Sequence, residues 1–138
     1  MTAEGAGEHV RSRRESRERA VELAYEAELR GWTVDQVVEA QTLAPDPFVV
    51  ELLRNAEDRR AEATGLIEAK SKRWAVSRMP VLDVVVMRIA IAELLAATTP
   101  TGVVLSEAVE LAGRYSTDES SRFVNGILAA VAADVRPG

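Results

Sequence analysis

The 138-residue sequence predicts a single all-α domain of about seven helices. Apolar residues recur every three or four positions along most of the chain, which is the spacing of amphipathic helices. Capping residues, glycines and prolines fall between these apolar segments. No segment requires a β-strand, and an apolar share of 47% is ordinary for a globular protein. We therefore expect one helical hydrophobic core.

The start of the chain differs in character from the rest. Residues 1–10 lack both periodicity and apolar content, so we expect a disordered leader there and a folded domain over residues 11–138. No stretch approaches the roughly 20 apolar residues that a bilayer crossing needs, and charged residues stand where a signal peptide has an apolar core. The sequence therefore predicts a cytoplasmic protein with no membrane partner.

Two helices are predicted in the first third of the domain. The first runs from about residue 11, with Ala20, Val21 and Ala24 on one face, to a glycine stop at Gly31. Thr33 and Gln36 then have the spacing of a capping box, in which the two side chains satisfy free backbone donors. A short second helix over residues 34–41 follows.

The third predicted helix is long. Asp46 before Pro47 is a favourable N-cap and first-turn pair, because proline lacks only a donor that the first turn leaves unused. An apolar stripe continues from Phe48 to Ile67, so one helix is expected to reach about residue 72. Residues 74–79 suggest a short linking turn of helix.

Residues 80–97 predict a buried central helix, because apolar residues surround this segment instead of lining one side. The β-branched run would also suit a buried strand, but the length and the absence of turn signals favour a helix. Arg88 and Glu93 interrupt the apolar run. Unpaired buried charges are costly, so these two residues need either internal partners or an exposed gap.

The chain breaks at residues 99–102, and two further helices are predicted after the break. The sixth ends near Tyr115, a polar loop covers residues 116–120, and the last helix covers residues 121–134. Asn125-Gly126 resembles a hairpin turn, but its apolar flanks are too short for strands. Inside a helix Gly126 costs about 1 kcal/mol relative to alanine, so we expect another helix to approach it closely.

Composition excludes several kinds of chemistry. The sequence has no cysteine, and its single histidine, His9, lies in the predicted leader. Disulfides, cysteine-ligated zinc and Ser/His/Asp catalysis therefore have no support. Glycines are scattered singly, so no phosphate-binding loop is present. We expect no metal, no cofactor and no enzymatic activity.

A net charge of −5 restricts any nucleic-acid contact to a local patch of cations. At about 100° per residue, Arg13, Arg14 and Arg17 fall on one face of the first helix. Arginine suits phosphate contacts and base stacking, and Phe123 beside Arg122 offers a second stacking element. In the alternative interpretation, Arg17 pairs with an acidic residue of the body and the other arginines are solvated.

Five sequence blocks together resemble the NusB family. The C-terminal region carries SEAVELA (106–112), YSTDES (115–120) and FVNGIL (123–128). Two earlier blocks agree in order and spacing, RRESRERA (13–20) leading to Tyr25 and MRIA (87–90) leading to Glu93. The resemblance covers about residues 13–137. Gly113 departs from the family pattern, because a lysine is common at this position.

The resemblance implies both a fold and a role. The fold would be two small helical bundles that share one core. The role would be transcription antitermination: binding single-stranded boxA RNA of nascent ribosomal RNA transcripts together with the ribosomal protein NusE, in a complex with NusA, NusG and RNA polymerase. Monomer and homodimer both remain open. The alternative is a helical protein-interaction or dimerising adaptor without an RNA role.

The resemblance also implies two groups of site residues. One group matches family positions at or near the RNA: Arg13, Arg14, Arg17, Arg122, Phe123 and Asn125. The other matches positions at or near the NusE surface: Tyr25, Asp83, Arg88 and Glu119. For Asp83 a structural role is equally open, because a carboxylate in the first turn of a helix is stabilised by about 0.3–1 kcal/mol.

Overall fold

The computed structural model describes residues 12–72 and 74–137, so the predicted leader lies outside the described residues. This part of the chain forms seven α-helices and a short 3-10 helix, Val76–Arg78, and contains no strand. The all-α prediction is confirmed. The α-helices are α1 (Arg13–Arg30), α2 (Val34–Glu39), α3 (Pro47–Asp58), α4 (Arg60–Ser71), α5 (Val81–Ala96), α6 (Thr101–Tyr115) and α7 (Asp118–Val135).

Helix α5 is the centre of the fold. Every residue from Asp83 to Leu94 is buried, and the helix packs against α1, α3, α4, α6 and α7. Helices α1, α2 and α3 contact one another on one side of it, while α7 contacts both α4 and α6 on the other. The buried apolar side chains of both groups form a single cluster. Both the buried central helix and the two bundles sharing one core are confirmed.

Local sequence signals located most helix starts. Thr33 and Gln36 form the predicted capping box, with hydrogen bonds of 3.2 and 2.8 Å. Asp46 accepts a hydrogen bond from the backbone N–H of Val49 at 3.0 Å, as expected of an N-cap. Gly31 ends α1 with a φ of 68°, in the left-handed region that glycine enters without strain. These contacts involve residues close in sequence, which is why the pattern alone revealed them.

The prediction of one long third helix is wrong. Helix α3 ends at Asp58, and α4 begins at Arg60 after a bend at Arg59, whose φ and ψ are −104° and 16°. Neither proline nor glycine marks this bend, and the backbone N–H of Arg59 still bonds to the carbonyl of Asn55 at 3.1 Å. The bend directs α4 onto α7. Long-range packing therefore decided a change of axis that the apolar periodicity does not encode.

The predicted polar loop at residues 116–120 is too long. Helix α7 begins at Asp118, and Thr117 caps it by accepting a hydrogen bond from the backbone N–H of Ser120 at 3.1 Å. Asp118 and Glu119 occupy the first turn, where the positive end of the helix dipole favours carboxylates. Polar residues that resembled a loop are therefore the cap and first turn of the helix.

The close helix approach predicted at Gly126 is also wrong. A Cβ atom at Gly126 would meet nothing within 4 Å. The close approach occurs at Gly113 instead, where a Cβ atom would collide with the Oγ of Ser121 across the α6–α7 interface. That hydroxyl donates a hydrogen bond to the carbonyl of Val109 at 3.2 Å. Any side chain at residue 113 must therefore displace an engaged group.

We expect opposite results from alanine at these two glycines. Gly126→Ala should raise the free energy of unfolding by about 1 kcal/mol, the usual helix-propensity difference. Gly113→Ala should raise the free energy of unfolding by less, or lower it, because the collision with Ser121 offsets the stabilisation that the higher helix propensity of alanine provides. Urea denaturation of both variants measures the difference. Equal stabilisation by the two substitutions would contradict the close approach at Gly113.

Candidate RNA and protein interfaces

Arg17 is directed into the protein. Its Nε and Nη2 atoms donate to the two carboxylate oxygens of Glu93, both at 2.8 Å, and only 6% of the residue is exposed. The hydroxyl of Thr99 donates to the same carboxylate at 3.1 Å. The hydrogen bond to Glu93 raises the pKa of Arg17. The alternative that Arg17 pairs with an acidic residue of the body is confirmed.

Arg14 lies in a surface row of ion pairs between α1 and α6. Its Nη2 atom is 2.9 Å from Glu107 and 3.0 Å from Glu110. One turn further along α1, Glu18 pairs with Arg114 at 2.8 Å. The Glu107 carboxylate raises the pKa of Arg14 through a hydrogen bond and its charge. An RNA phosphate at Arg14 must therefore compete with two carboxylates.

Of the three arginines Arg13, Arg14 and Arg17, Arg13 is the one without a carboxylate partner among the described residues. Its guanidinium carbon lies 3.8 Å from the centroid of the Phe48 ring, a cation–π distance. The pair borders a surface cleft of about 360 Å³ that also includes Thr98 and Pro100. Of the three, Arg13 is the arginine whose charge is available to an external anion. We call Arg13, Arg14 and Arg17 the arginine group.

The other predicted RNA residues lie at the start of α7. Phe123 is half-buried and contacts Trp74, with ring centroids 6.3 Å apart and planes tilted by 46°. Trp74 itself is 52% exposed. Arg122 and Asn125 are three residues apart on α7, and both are exposed, so they share one face of the helix. We call Trp74, Arg122, Phe123 and Asn125 the aromatic group.

Three exposed cations belong to the aromatic group or lie within four residues of Trp74 in the sequence. Lys72, Arg78 and Arg122 are exposed, and none makes an ion pair within residues 12–72 and 74–137. Sequence reasoning missed Trp74 and Arg78, because residues 74–79 suggest only a linking turn, and it missed Lys72, which stands at the predicted end of the third helix. The run KSKRW (70–74) is the signal that could have found them, since cations beside an aromatic residue are typical of nucleic-acid surfaces.

The arginine group and the aromatic group lie toward opposite ends of α5. Arg17 binds Glu93 near the end of α5, whereas Ser120 at the start of α7 binds Asp83 near its beginning. Ten residues of helix separate the two contacts, which corresponds to a distance of about 15 Å along the axis. The two groups are therefore anchored at different levels along α5.

Of the four residues predicted for the NusE contact, two are exposed and two are buried. Tyr25 is 37% exposed on α1, and Glu119 is exposed in the first turn of α7. Asp83 and Arg88 are buried. Arg88 donates from Nε to the Thr64 hydroxyl at 3.1 Å, which confirms the alternative of an internal partner for this residue. Tyr25 and Glu119 are thus the two with surface available to a protein.

Asp83 carries an unusual carboxylate. Its Oδ2 atom accepts a hydrogen bond from Ser120 at 3.1 Å, while its buried Oδ1 atom has no hydrogen-bond partner among the described residues. Burial raises the pKa of Asp83, and the Ser120 hydrogen bond opposes this in part. The ionised form is therefore disfavoured in the folded protein relative to the unfolded chain.

We expect Asp83→Asn to remove a pH dependence of stability. A raised folded-state pKa means that the native protein binds more protons than the unfolded chain, so the aspartate lowers stability as pH rises from 3.8 through the folded value. The free energy of unfolding of the wild type, relative to the variant, should therefore increase on acidification. Urea denaturation of both proteins at neutral and mildly acidic pH tests this. Parallel pH profiles would contradict it.

Two properties of residues 12–72 and 74–137 bear on function. Every helix in these ranges is too short or too polar to cross a bilayer. The same ranges hold no cluster of three or more side chains placed to bind a metal ion. The features that remain are surfaces: the aromatic group with its cations, and the exposed residues around the start of α5.

These features define a class: a helical domain of two bundles around one buried helix, with a basic and aromatic surface suited to nucleic acid. The NusB family model matches residues 14–133, and this chain belongs to the NusB family. The transcription antitermination protein NusB of Thermobifida fusca (strain YX) is 45% identical over 122 residues, which cover 85% of this chain and 86% of that protein. NusB of Clavibacter sepedonicus is 39% identical over 132 residues, with coverages of 88% and 96%.

Solved structures agree with this assignment. T. maritima NusB superposes with a TM-score of 0.79 at 30% identity, covering 90% of this chain and 92% of that one. A crystal structure of the antitermination factors NusB and NusE in complex with double-stranded RNA matches with a TM-score of 0.74 at 26% identity. The coverages in that comparison are 88% of this chain and 96% of the other.

Proposed function

We propose that this protein is a transcription antitermination factor that binds boxA RNA of nascent ribosomal RNA transcripts together with NusE. Membership of the NusB family, the names of its relatives and the solved complex of a structural neighbour with NusE and RNA support this role. The protein would act in the cytoplasm within a complex of NusA, NusG and RNA polymerase. Its contribution would be assembly, without a cofactor or a chemical step.

The observation that carries the RNA proposal is the aromatic group with its unpaired cations. Unpaired bases stack on aromatic side chains, and each stack contributes about 1–3 kcal/mol. Trp74 is exposed enough to stack with a base, and its ring packs against Phe123. Arg122 and Lys72 add positive charge for the adjoining phosphates. This combination suits single-stranded RNA, whose bases are free to turn outward.

The three residues of the arginine group would play different roles. Arg13 has no carboxylate partner in the described structure and is the member best suited to a phosphate. Arg14 would contribute only by exchanging Glu107 and Glu110 for the RNA backbone. Arg17 would act through the position of α1, because its guanidinium is occupied by Glu93. An extended RNA strand would be needed to reach both groups.

The proposed NusE surface lies toward the same end of α5 as the aromatic group. Glu28, three residues after Tyr25 on α1, lies 3.7 Å from Arg88, and Ser120 beside Glu119 binds Asp83. Arg88 and Asp83 both belong to the first half of α5. Exposed residues of α1 and α7 would therefore meet NusE close to the RNA, which suits joint binding of the two partners.

A salt series of boxA binding, with and without NusE, tests this function. We expect NusE to tighten binding, and affinity to fall with a slope of about 0.7 per phosphate contact on a log–log plot. Arg122→Gln should reduce that slope by about one contact, whereas Arg54→Gln, on the remote α3 surface, should leave it unchanged. Indifference to RNA sequence and to NusE would overturn the proposal. NusE binding without RNA binding would favour the adaptor role.

A further inference from the structure

Both hydrogen-bonding edges of the Arg14 guanidinium are occupied. On one edge, Nε and Nη2 donate to the carboxylate of Glu107, at 3.3 and 2.9 Å. On the other edge, Nη1 donates to Glu110 at 3.2 Å, and Nη2 lies 3.0 Å from the second oxygen of that carboxylate. Carboxylates and phosphates use the same two edges of arginine. A phosphate can therefore pair with an edge of Arg14 only by displacing one of these carboxylates.

Two features hold these carboxylates in place apart from Arg14. The Glu107 side chain is only 13% exposed, whereas the side chain of Arg14 is 52% exposed. Glu110 accepts a further hydrogen bond from Nη2 of Arg114, one turn further along α6, at 3.0 Å. Because burial and a second partner restrict the two acidic side chains, they keep facing the start of α1. They are therefore fixed competitors for any anion that approaches Arg14.

The ion-pair row around Arg14 is negatively charged as a whole. Two arginines, Arg14 and Arg114, share this surface with three carboxylates. The carboxylates belong to Glu18, Glu107 and Glu110. These five side chains together carry one net negative charge, which repels a phosphate instead of attracting it. The presence of arginine at this surface is therefore not sufficient for RNA binding while the carboxylates remain paired with it.

We propose that Glu107 and Glu110 form an autoinhibitory contact, in which they occupy Arg14 as a phosphate would and thereby weaken RNA binding by the free protein. The inference rests on the proposed function, in which RNA binds near the arginine group. Surface ion pairs are screened by water and cost little to exchange, so a strand held at Arg13 can displace the carboxylates from Arg14. The buried Arg17 offers no such exchange.

Removing the two carboxylates should tighten RNA binding. We expect the double variant Glu107→Gln, Glu110→Gln to bind boxA RNA about 5-fold more tightly at low salt. The log–log salt slope should become steeper by about 0.7, because Arg14 gains one phosphate contact. Glutamine keeps the side-chain length and has a helix propensity close to that of glutamate. Fluorescence anisotropy of labelled RNA across a salt series measures both quantities. Loss of a purely structural ion pair would not tighten binding.

Two controls separate this contact from a general change in charge. The double variant Glu39→Gln, Asp58→Asn removes the same number of charges from exposed positions outside the α1–α6 surface and should bind RNA like the wild type. In an Arg14→Met background, replacing Glu107 and Glu110 should no longer tighten binding. Unchanged affinity in the folded glutamine variant, or equal tightening with and without Arg14, would overturn the inference while leaving the proposed function intact. Circular dichroism establishes that each variant is folded.

A second measurement is independent of RNA. Inorganic phosphate is titrated into the free protein at constant ionic strength against chloride, and the arginine Nε–H resonances are followed by NMR. We expect the Arg14 signal to shift at lower phosphate concentration in the glutamine variant than in the wild type. If neither protein binds RNA, the proposed function falls and this titration decides the inference. An earlier shift in the variant supports competition by the carboxylates, and identical responses of Arg14 in both proteins overturn it.

Discussion

Replacing Arg17 with methionine is expected to lower the free energy of unfolding by about 3–5 kcal/mol, the usual cost of removing one partner of a buried ion pair. Glu93 is 5% exposed and would be left with only the Thr99 hydroxyl as a side-chain hydrogen-bond donor. The same pair joins α1 to the end of α5, so its loss would also loosen the first helix. Urea denaturation at neutral pH measures the change.

Arg14→Met is the matched control for this prediction. Its ion pairs lie at the surface, where water and salt screen them, so they should contribute much less than the buried pair, although Arg14 lies only three positions from Arg17. The double variant Arg17→Met with Glu93→Leu should recover most of the lost stability, because no unpaired charge remains buried. A loss for Arg17→Met no greater than for Arg14→Met would show that the buried pair is not a main contributor to stability.

Trp74→Ala is expected to weaken boxA binding by about 5- to 150-fold, which corresponds to one base stack of 1–3 kcal/mol. Because 52% of Trp74 is exposed, the stability of the protein should change little. Phe123→Ala is a less suitable test, because the half-buried Phe123 also packs against the core. Fluorescence anisotropy of labelled boxA RNA without NusE isolates the contact.

Tyr25→Ala provides the control for the tryptophan variant. Tyr25 is also an exposed aromatic residue, but it lies on α1 beside the proposed NusE surface. Its removal should leave RNA affinity unchanged when NusE is absent. If Trp74→Ala binds boxA RNA as tightly as the wild type, the aromatic group is not the RNA surface. The arginine group would then be the remaining candidate.

Residue type and helical spacing predicted only part of the candidate site. The residue types at Arg122, Phe123 and Asn125 indicated nucleic-acid chemistry. The structure exposes Arg122 and Asn125 and packs the half-buried Phe123 against Trp74, a residue that the sequence pattern did not single out. The common helical face of Arg13, Arg14 and Arg17 was evident from spacing, but the spacing left open whether Arg17 is paired or solvated. That question depended on Glu93, which lies 76 residues further along the chain.

Sequence by itself determined the helical class, the buried central helix and most helix starts. Periodicity and caps arise from contacts within about four residues, so local pattern is sufficient to reveal them. The tertiary structure alone decided the bend at Arg59, the burial of Arg17 and the meeting of Trp74 with Phe123. These features depend on which distant side chains packing brings together.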